Sequence, residues 1–268
     1  MTESPPIVLT IAGFDPSSGA GVTADLKTIA AHACYGVACI TALTVQSTRG
    51  VRKVQPIQDR MVNETLEELA ADFKIAAVHI GMLGSQAVTE AVADFLSVHC
   101  FANVVLDPVL RSSSGTELLD PTGLKSLTEK LLPLAAVITP NLDEAAALSG
   151  LLVTSVEGMR AAARQLHQLG AKAIVVTGGH LERPVDVLSV MEGDGLTQLE
   201  FAGERQETRS THGTGCAFSS ALACQLAYGK SLIEAAPLAK AYVEAAIANA
   251  YPLGAGVGPV NHLYRFDR

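Results

Sequence analysis

The 268-residue chain contains no tryptophan, and aromatic residues make up only 4% of it. Recognition of unpaired bases uses aromatic stacking platforms, and this supply is too thin for one. Basic residues are also in deficit, with 19 Lys and Arg against 27 Asp and Glu and a net charge of −8. No Lys/Arg-rich run occurs, so the electrostatic footprint of a nucleic-acid binder is missing. The five cysteines include no C-x-x-C pair, which argues against a zinc site or a disulfide framework. All but Cys216 are expected to pack as small hydrophobes in a reducing compartment. Two stretches lack formal charge, Thr28 to Thr48 and Ser210 to Gly229, but both carry Gly, Thr, Ser and His. Neither supplies the roughly 20 mainly apolar residues of a membrane span. The N-terminus has no basic n-region, so a cytoplasmic protein with no membrane association is expected.

What the chain does have is apolar aliphatic material, 49% hydrophobic overall, which excludes intrinsic disorder. It is arranged as short β-branched runs alternating with longer amphipathic, Ala-rich segments. Strands are predicted at 7–12, 37–45, 51–57, 77–80, 103–106, 136–139, 173–177, 185–191 and 197–201. Helices are predicted at 22–32, 59–73, 86–99, 122–132, 142–149, 155–169, 214–227 and 232–250. Runs such as IVLTIA and AIVVT are apolar on both faces, as in parallel strands covered by helices. The pattern predicts a single-domain α/β fold over 1–268, a mostly parallel sheet with helices on both faces. The pair 185–191 and 197–201, split by Glu192-Gly-Asp-Gly195, reads as an antiparallel hairpin at one edge.

Ligands of such folds bind beyond the carboxyl ends of the strands. The residues just after the apolar runs are therefore the candidates. Thr211-His-Gly-Thr-Gly-Cys-Ala217 precedes an Ala-rich helix, and its glycines permit a tight turn that leaves first-turn N–H groups free for an anion. Cys216 would lie on that turn, where the helix N-terminus stabilises a thiolate; the alternative is an ordinary helix start with Cys216 as core filler. In Thr139-Pro-Asn-Leu-Asp-Glu144, Asn141 and Glu144 share one side of a helix start and suit Mg²⁺. They equally fit a helix cap with an acidic third residue. Asp107 ends a strand at the same rim, although Asp-Pro also starts ordinary turns. The loop Gly13-Phe-Asp-Pro-Ser-Ser-Gly-Ala-Gly21 lacks the G-K-[ST] of a P-loop, and no G-x-S-x-G elbow supports a serine hydrolase. Of seven histidines, His180 and His212 fall at site positions, while His32, His99 and His167 are expected at surface or boundary positions on helices.

Seven segments in order, IAGFDPSSGAGVTADLKT (11–28), ITALTVQSTRGV (40–51), IGMLGS (80–85), VVLDPVLRSSSG (104–115), ITPNLDEAAALSG (138–150), VVTGGH (175–180) and THGTGCAFSSALA (211–223), resemble the hydroxymethylpyrimidine/phosphomethylpyrimidine kinases of thiamine biosynthesis, in the ribokinase-like superfamily. The resemblance implies ATP-dependent phosphorylation of 4-amino-5-hydroxymethyl-2-methylpyrimidine, then of its monophosphate, with Mg²⁺ as cofactor and a homodimer as the assembly. Pyridoxal kinases share the architecture and supply the alternative activity. By matching position, Gln46 would pair with the pyrimidine, and Asp25, Met82, Val109 and the backbone of Gly13 would border the ring. Gly213, Thr214, Gly215 and Cys216 resemble the anion hole, with Cys216 as base where the wider superfamily has Asp. Asn141 and Glu144 match the motif that places Mg²⁺, joined by Asp107. Thr177, Gly179 and Lys240 would lie near ATP. Phe14 and Ser18 depart from the smaller residues common in this loop. The 185–201 hairpin and the 111–120 segment are expected to form a lid or flap.

Overall fold

The computed structural model describes residues 4–112, 114–193 and 195–266. Chain order is β1 (Ile7–Phe14), α1 (Gly21–Ala31), β2 (Tyr35–Ser47), β3 (Gly50–Pro56), α2 (Asp59–Asp72), β4 (Ile75–Ile80), α3 (Gln86–His99), β5 (Val104–Leu106) and α4 (Pro121–Ser126). It continues with β6 (Val137–Ile138), α5 (Leu142–Ser149), α6 (Val156–Gln168), β7 (Ala173–Val176), β8 (Val185–Glu192), β9 (Gly195–Ala202), α7 (Thr214–Ala227) and α8 (Leu232–Ala248). Beyond α4 the helical path tightens and widens in turn, with a π-helical turn at Leu127–Leu131 and a 3-10 turn at Leu132–Leu134.

The nine strands form one sheet in the order β3-β2-β1-β4-β5-β6-β7-β8-β9. Pairs from β2 through β7 are parallel, and β8 and β9 add the antiparallel hairpin expected at that edge. The other edge is also antiparallel, because β2 turns straight into β3 through Thr48 and Arg49. Both edge features are connections too short for a crossover helix. Of the turn expected at 192–195, Asp194 lies outside the described residues.

Alternation along the strands divides the core in two. Leu9, Ile11, Val78, Ile80, Val104, Leu106, Ile138, Ile174 and Val176 face α2, α3, α5 and α6. Val8, Ala77, Val105, Val137, Ala173 and Val175 face α1, α7 and α8. Each fully buried Val, Leu or Ile stabilises the fold by about 1.5–3 kcal/mol, so a one-residue register slip is strongly disfavoured. Helix α7 runs centrally on the second face, packed on α1, α8, β4 and β5. Its small residues Ala217, Ser219, Ser220, Ala221 and Ala223 are all buried and let it approach the sheet closely. Two cores against one sheet explain why its central strands are apolar throughout.

Two surface expectations change. His32 caps the C-terminus of α1 and is buried against Tyr242, with Nδ1 bonded to the Thr28 carbonyl, so it is not a boundary residue. Cys34, Cys39 and Cys224 are buried, but Cys100 is exposed, because it ends α3 in the left-handed conformation (φ 51°).

Candidate active site

β1 and β4 run side by side, yet the chain leaves them for opposite faces of the sheet: α1, after β1, packs with α7, and α3, after β4, lies on the other side. The crevice at this reversal, beyond the carboxyl ends of the strands, is where the fold presents ligands. Most of the expected positions converge there.

Loop 13–21 is organised by Asp15, a buried residue whose carboxylate accepts from Ser17 N (2.8 Å), Ser17 Oγ (2.7 Å), Gly19 N (3.2 Å) and Ala20 N (2.9 Å). His212 Nε2 lies 2.9 Å from Asp15 Oδ2, joining this loop to the segment before α7. Burial pushes the Asp15 carboxyl upward, but the bonds from His212 and Ser17 outweigh it and hold it below the ordinary 3.8. Gln46 Nε2 sits 3.2 Å from the same His212 nitrogen. With that ring proton given to Asp15, His212 Nε2 cannot also accept, so Gln46 is better paired with its amide turned over, its oxygen toward His212.

Gln46 borders a small cavity of about 60 Å³, which also includes Ser112, Ser114, His212 and Val257. A wider cleft of about 620 Å³ at the β2–β3 turn shares several of these walls and is flanked by Arg49 and Arg52. Met82 is buried with Ala42 and Leu118, and Val109, Val51 and Val54 pack against them. Gly13 lies against this apolar patch: a Cβ there would stand 2.9 Å from Met82 Sδ. The structure therefore brings Gly13, Met82 and Val109 together.

Helix α7 begins at Gly213, whose left-handed φ of 85° no bulkier residue adopts cheaply. A Cβ at Gly213 would also strike the carbonyl of Gly19. Unlike α3, α5 and α6, this helix has no side-chain cap, so no side chain competes for the amides of Thr214, Gly215 and Cys216. Asp107 is close beside them, with Oδ2 3.7 Å from where a Gly215 Cβ would stand.

Beneath the turn lies a buried polar network. Asp25 Oδ1 accepts from Ser220 Oγ (2.9 Å) and Oδ2 from Thr10 Oγ1 (2.7 Å), with His79 Nδ1 at 3.4 Å. His79 Nε2 is 3.1 Å from Ser219 Oγ, which donates to Asp107 Oδ2 (3.2 Å). Burial opposes the charge on His79, but Asp25 and then Asp107 outweigh it and raise its pKa. Asp25 was expected beside the substrate ring. It is instead 0% exposed with both oxygens taken by protein donors, a brace under the site rather than a wall of it.

Asp107 and Glu144 are both buried carboxylates. Burial lifts Asp107 to about 6 against opposition from His79 and Ser219. Burial, and then the Asp107 charge, lift Glu144 to about 8 despite amide bonds from Asn141 and Leu110. The alternatives for Asn141 and Glu144 prove compatible, since the pair does form a capping box: Glu144 N donates to Asn141 Oδ1 (2.9 Å) and Asn141 N to Glu144 Oε2 (3.0 Å). The cap orients Glu144. Two hard oxygen acids that burial leaves short of positive charge fit Mg²⁺. Among the described residues no group of three His, Cys, Asp or Glu could hold a metal ion.

Cys216 departs from expectation in its ionisation. Burial, Asp25 and Asp107 raise its thiol well above 9.0, and the Gly21 amide only partly opposes them. Burial first, and then the charges of Asp25, Asp107 and Asp15, push the thiol up although it lies at a helix N-terminus.

Thr177 follows β7 and donates its N–H to Pro140 O (2.9 Å), which sets it beside Asn141. Gly179 faces open space. Lys240 is not free to reach a nucleotide, because its Nζ is bound by Asp186 (2.9 Å) and lies 3.7 Å from Glu244. His180 is exposed and joins none of these groups through a described bond. Asp15, His79, Ser219 and Asp186 were missed in the sequence. A signal existed only for His79, a polar residue inside the apolar run IAAVHI.

Comparison with known proteins gives the family. The phosphomethylpyrimidine kinase family model matches residues 15–261. The hydroxymethylpyrimidine/phosphomethylpyrimidine kinase of Haemophilus influenzae is 42% identical over 258 residues, covering 95% of this chain and 96% of that protein. A thiamine biosynthesis bifunctional protein of Geobacter sulfurreducens is 43% identical over 96% of this chain, which spans only 52% of that longer protein. Bacillus subtilis pyridoxal kinase, solved as an ADP complex, superposes with a TM-score of 0.87 at 37% identity, covering 98% of this chain and 100% of that one.

Proposed function

The chain belongs to the phosphomethylpyrimidine kinase family, and from that membership we propose that it transfers the γ-phosphoryl group of ATP to 4-amino-5-hydroxymethyl-2-methylpyrimidine and then to the resulting monophosphate, on the route to thiamine diphosphate. The observation that carries the reading is the uncapped start of α7 set against the buried Asp107 and Glu144 at one rim of the sheet. Phosphoryl transfer is catalysed mainly by positioning and electrostatics, and this rim offers both.

Gln46 pairs with the pyrimidine through its amide, held toward the pocket by contact with His212. Gly13, Met82 and Val109 pack against the ring. The amides of Gly213, Thr214, Gly215 and Cys216 receive the charge of the transferring group. Asp107 and Glu144 would hold a Mg²⁺ ion, which would supply positive charge at the phosphate, and Asn141 fixes Glu144. Cys216 would take the hydroxymethyl proton only as the thiolate, after its own proton has left to solvent, and an ion held by Asp107 would offset one of the charges that oppose that ionisation. Thr177 and Gly179 line the nucleotide. Residues 1–268 act as one kinase domain, and five free thiols suit the reducing cytoplasm. Leu43 and Val45 are exposed on the face of β2 opposite Gln46, which supports a homodimer.

Pyridoxal kinase is the second reading, favoured by the close superposition on the Bacillus subtilis enzyme. The higher identity to pyrimidine kinases ranks it second. The test is ATP turnover with each acceptor and Mg²⁺. Turnover that needs the pyrimidine supports the proposal, and turnover without an acceptor, or none at all, overturns it.

A further inference from the structure

The turn after β7 is held from behind by a charge pair that the proposed chemistry does not use. Asp186, on β8, is 5% exposed; its Oδ1 accepts the Gly178 N–H at 2.9 Å and its Oδ2 accepts Lys240 Nζ at 2.9 Å. Lys240, on α8, is 9% exposed. Two buried charges are retained at a desolvation cost that good mutual geometry only offsets, so the pair does not account for itself as a source of stability. What it does is geometric. Gly178 has no room for a side chain, since a Cβ would strike the Val185 carbonyl. Its neighbours are pinned too: Thr177 N donates to Pro140 O (2.9 Å) and Leu181 N to Gly178 O (3.0 Å). Asp186 completes this set, and Gly179 beside it is left facing open space.

We propose that Asp186 is a positioning residue for the nucleotide: it fixes the Gly178 peptide so that Thr177 and Gly179 present one backbone surface to ATP, while Lys240 anchors Asp186 and does not touch the nucleotide. This rests on Thr177 and Gly179 lining the nucleotide as proposed above. The chemistry recognised is that of an adenosine di- or triphosphate lying along a peptide strip, and a displaced peptide at such a strip costs affinity steeply.

The experiment measures ADP affinity by calorimetry, with steady-state KM for ATP and for the pyrimidine, on the full chain. Asp186→Ala removes the acceptor and is expected to weaken ADP and raise KM for ATP about tenfold or more, with KM for the pyrimidine unchanged. Asp186→Asn still accepts from Gly178 but loses the Lys240 ion pair, and is expected to raise KM for ATP severalfold, less than Asp186→Ala and like Lys240→Met. If Asp186→Ala does not fold, Lys240→Met carries the test, expected to raise KM for ATP severalfold and leave the pyrimidine KM alone. Equal shifts in both KM values would mark a merely structural role and overturn the proposal. Gly179→Val, which projects into open space without touching Asp186, separates the two levels. Weaker ADP binding in Gly179→Val with none in Asp186→Ala overturns the positioning role and leaves the nucleotide strip standing. Unchanged ADP binding in both overturns the strip and the positioning role together.

Discussion

Asp15 and His212, 197 residues apart in sequence, are joined by a 2.9 Å contact between a carboxylate oxygen and Nε2. That single bond ties the first loop of the fold to the segment that starts its central helix. His212 in turn contacts Gln46. The proposed pyrimidine-pairing residue and the segment before α7 are thus parts of one hydrogen-bonded unit.

Removing Asp15 should expose how much rests on it. Asp15→Ala leaves the Ser17, Gly19 and Ala20 amides and His212 without their acceptor in a buried setting. Unmade buried bonds are costly, so urea unfolding should show a loss of roughly 2–4 kcal/mol. KM for the pyrimidine should rise in the same variant. A variant as stable as the parent would mean that the loop does not depend on this carboxylate.

Gly213→Ala addresses the helix start. A left-handed non-glycine residue costs about 1–2 kcal/mol, and here the new methyl also meets the Gly19 carbonyl. The expected outcome is a clear drop in Tm together with loss of turnover. Normal activity in this variant would show that the tight turn is dispensable.

A pH dependence follows from Glu144. Folding holds its proton to about 8, against an ordinary value of 4.5, because of burial and the nearby Asp107. The folded state therefore binds that proton more tightly than the unfolded chain. The stability it contributes is complete below pH 4.5 and is lost as pH rises toward 8. Asp107, raised to about 6, adds to the lower part of this window. Without Mg²⁺, the stability of the parent relative to Glu144→Gln should fall from pH 5 to pH 8 in denaturant titrations. A flat or rising difference would contradict the assigned burial. Adding Mg²⁺ and nucleotide should reduce the slope, since both favour the ionised carboxylates.

Cys216→Ser tests the proton acceptor. General-base catalysis is worth on the order of 10²–10⁴-fold, so kcat should drop by about a hundredfold or more while pyrimidine affinity stays nearly unchanged. Because the free thiol is held high by burial, Asp25 and Asp107, the rate of the parent should still be rising on the alkaline side of neutrality. Near-normal turnover of Cys216→Ser rejects the role.

The sheet was legible because short runs that are apolar on both faces answer to burial alone. Among the described residues the nine strands and eight α-helices overlap the predicted spans, although the helix predicted at 122–132 ends at Ser126 and gives way to π and 3-10 turns, and the 185–201 hairpin is antiparallel as its turn suggested. Local geometry at the candidate site was legible where the backbone demands a residue type, as at Gly213 and in the Asn141–Glu144 cap. Long-range side-chain pairing was not. Nothing in the local sequence shows that Lys240 meets Asp186 or that Asp25 lies beneath the site with Ser220 and Thr10. The sign of the Cys216 shift was misjudged for the same reason, since the helix start is local and visible whereas the burial of the thiol and its carboxylate neighbours Asp25 and Asp107 come from the tertiary fold.

The most direct measurement is mass spectrometry of products formed with Mg-ATP and either hydroxymethylpyrimidine or pyridoxal. The account predicts both mono- and diphosphorylated pyrimidine from the one chain. Phosphorylated pyridoxal with no pyrimidine product would contradict it, leaving the fold and the phosphoryl site intact but assigning them to the vitamin B6 substrate.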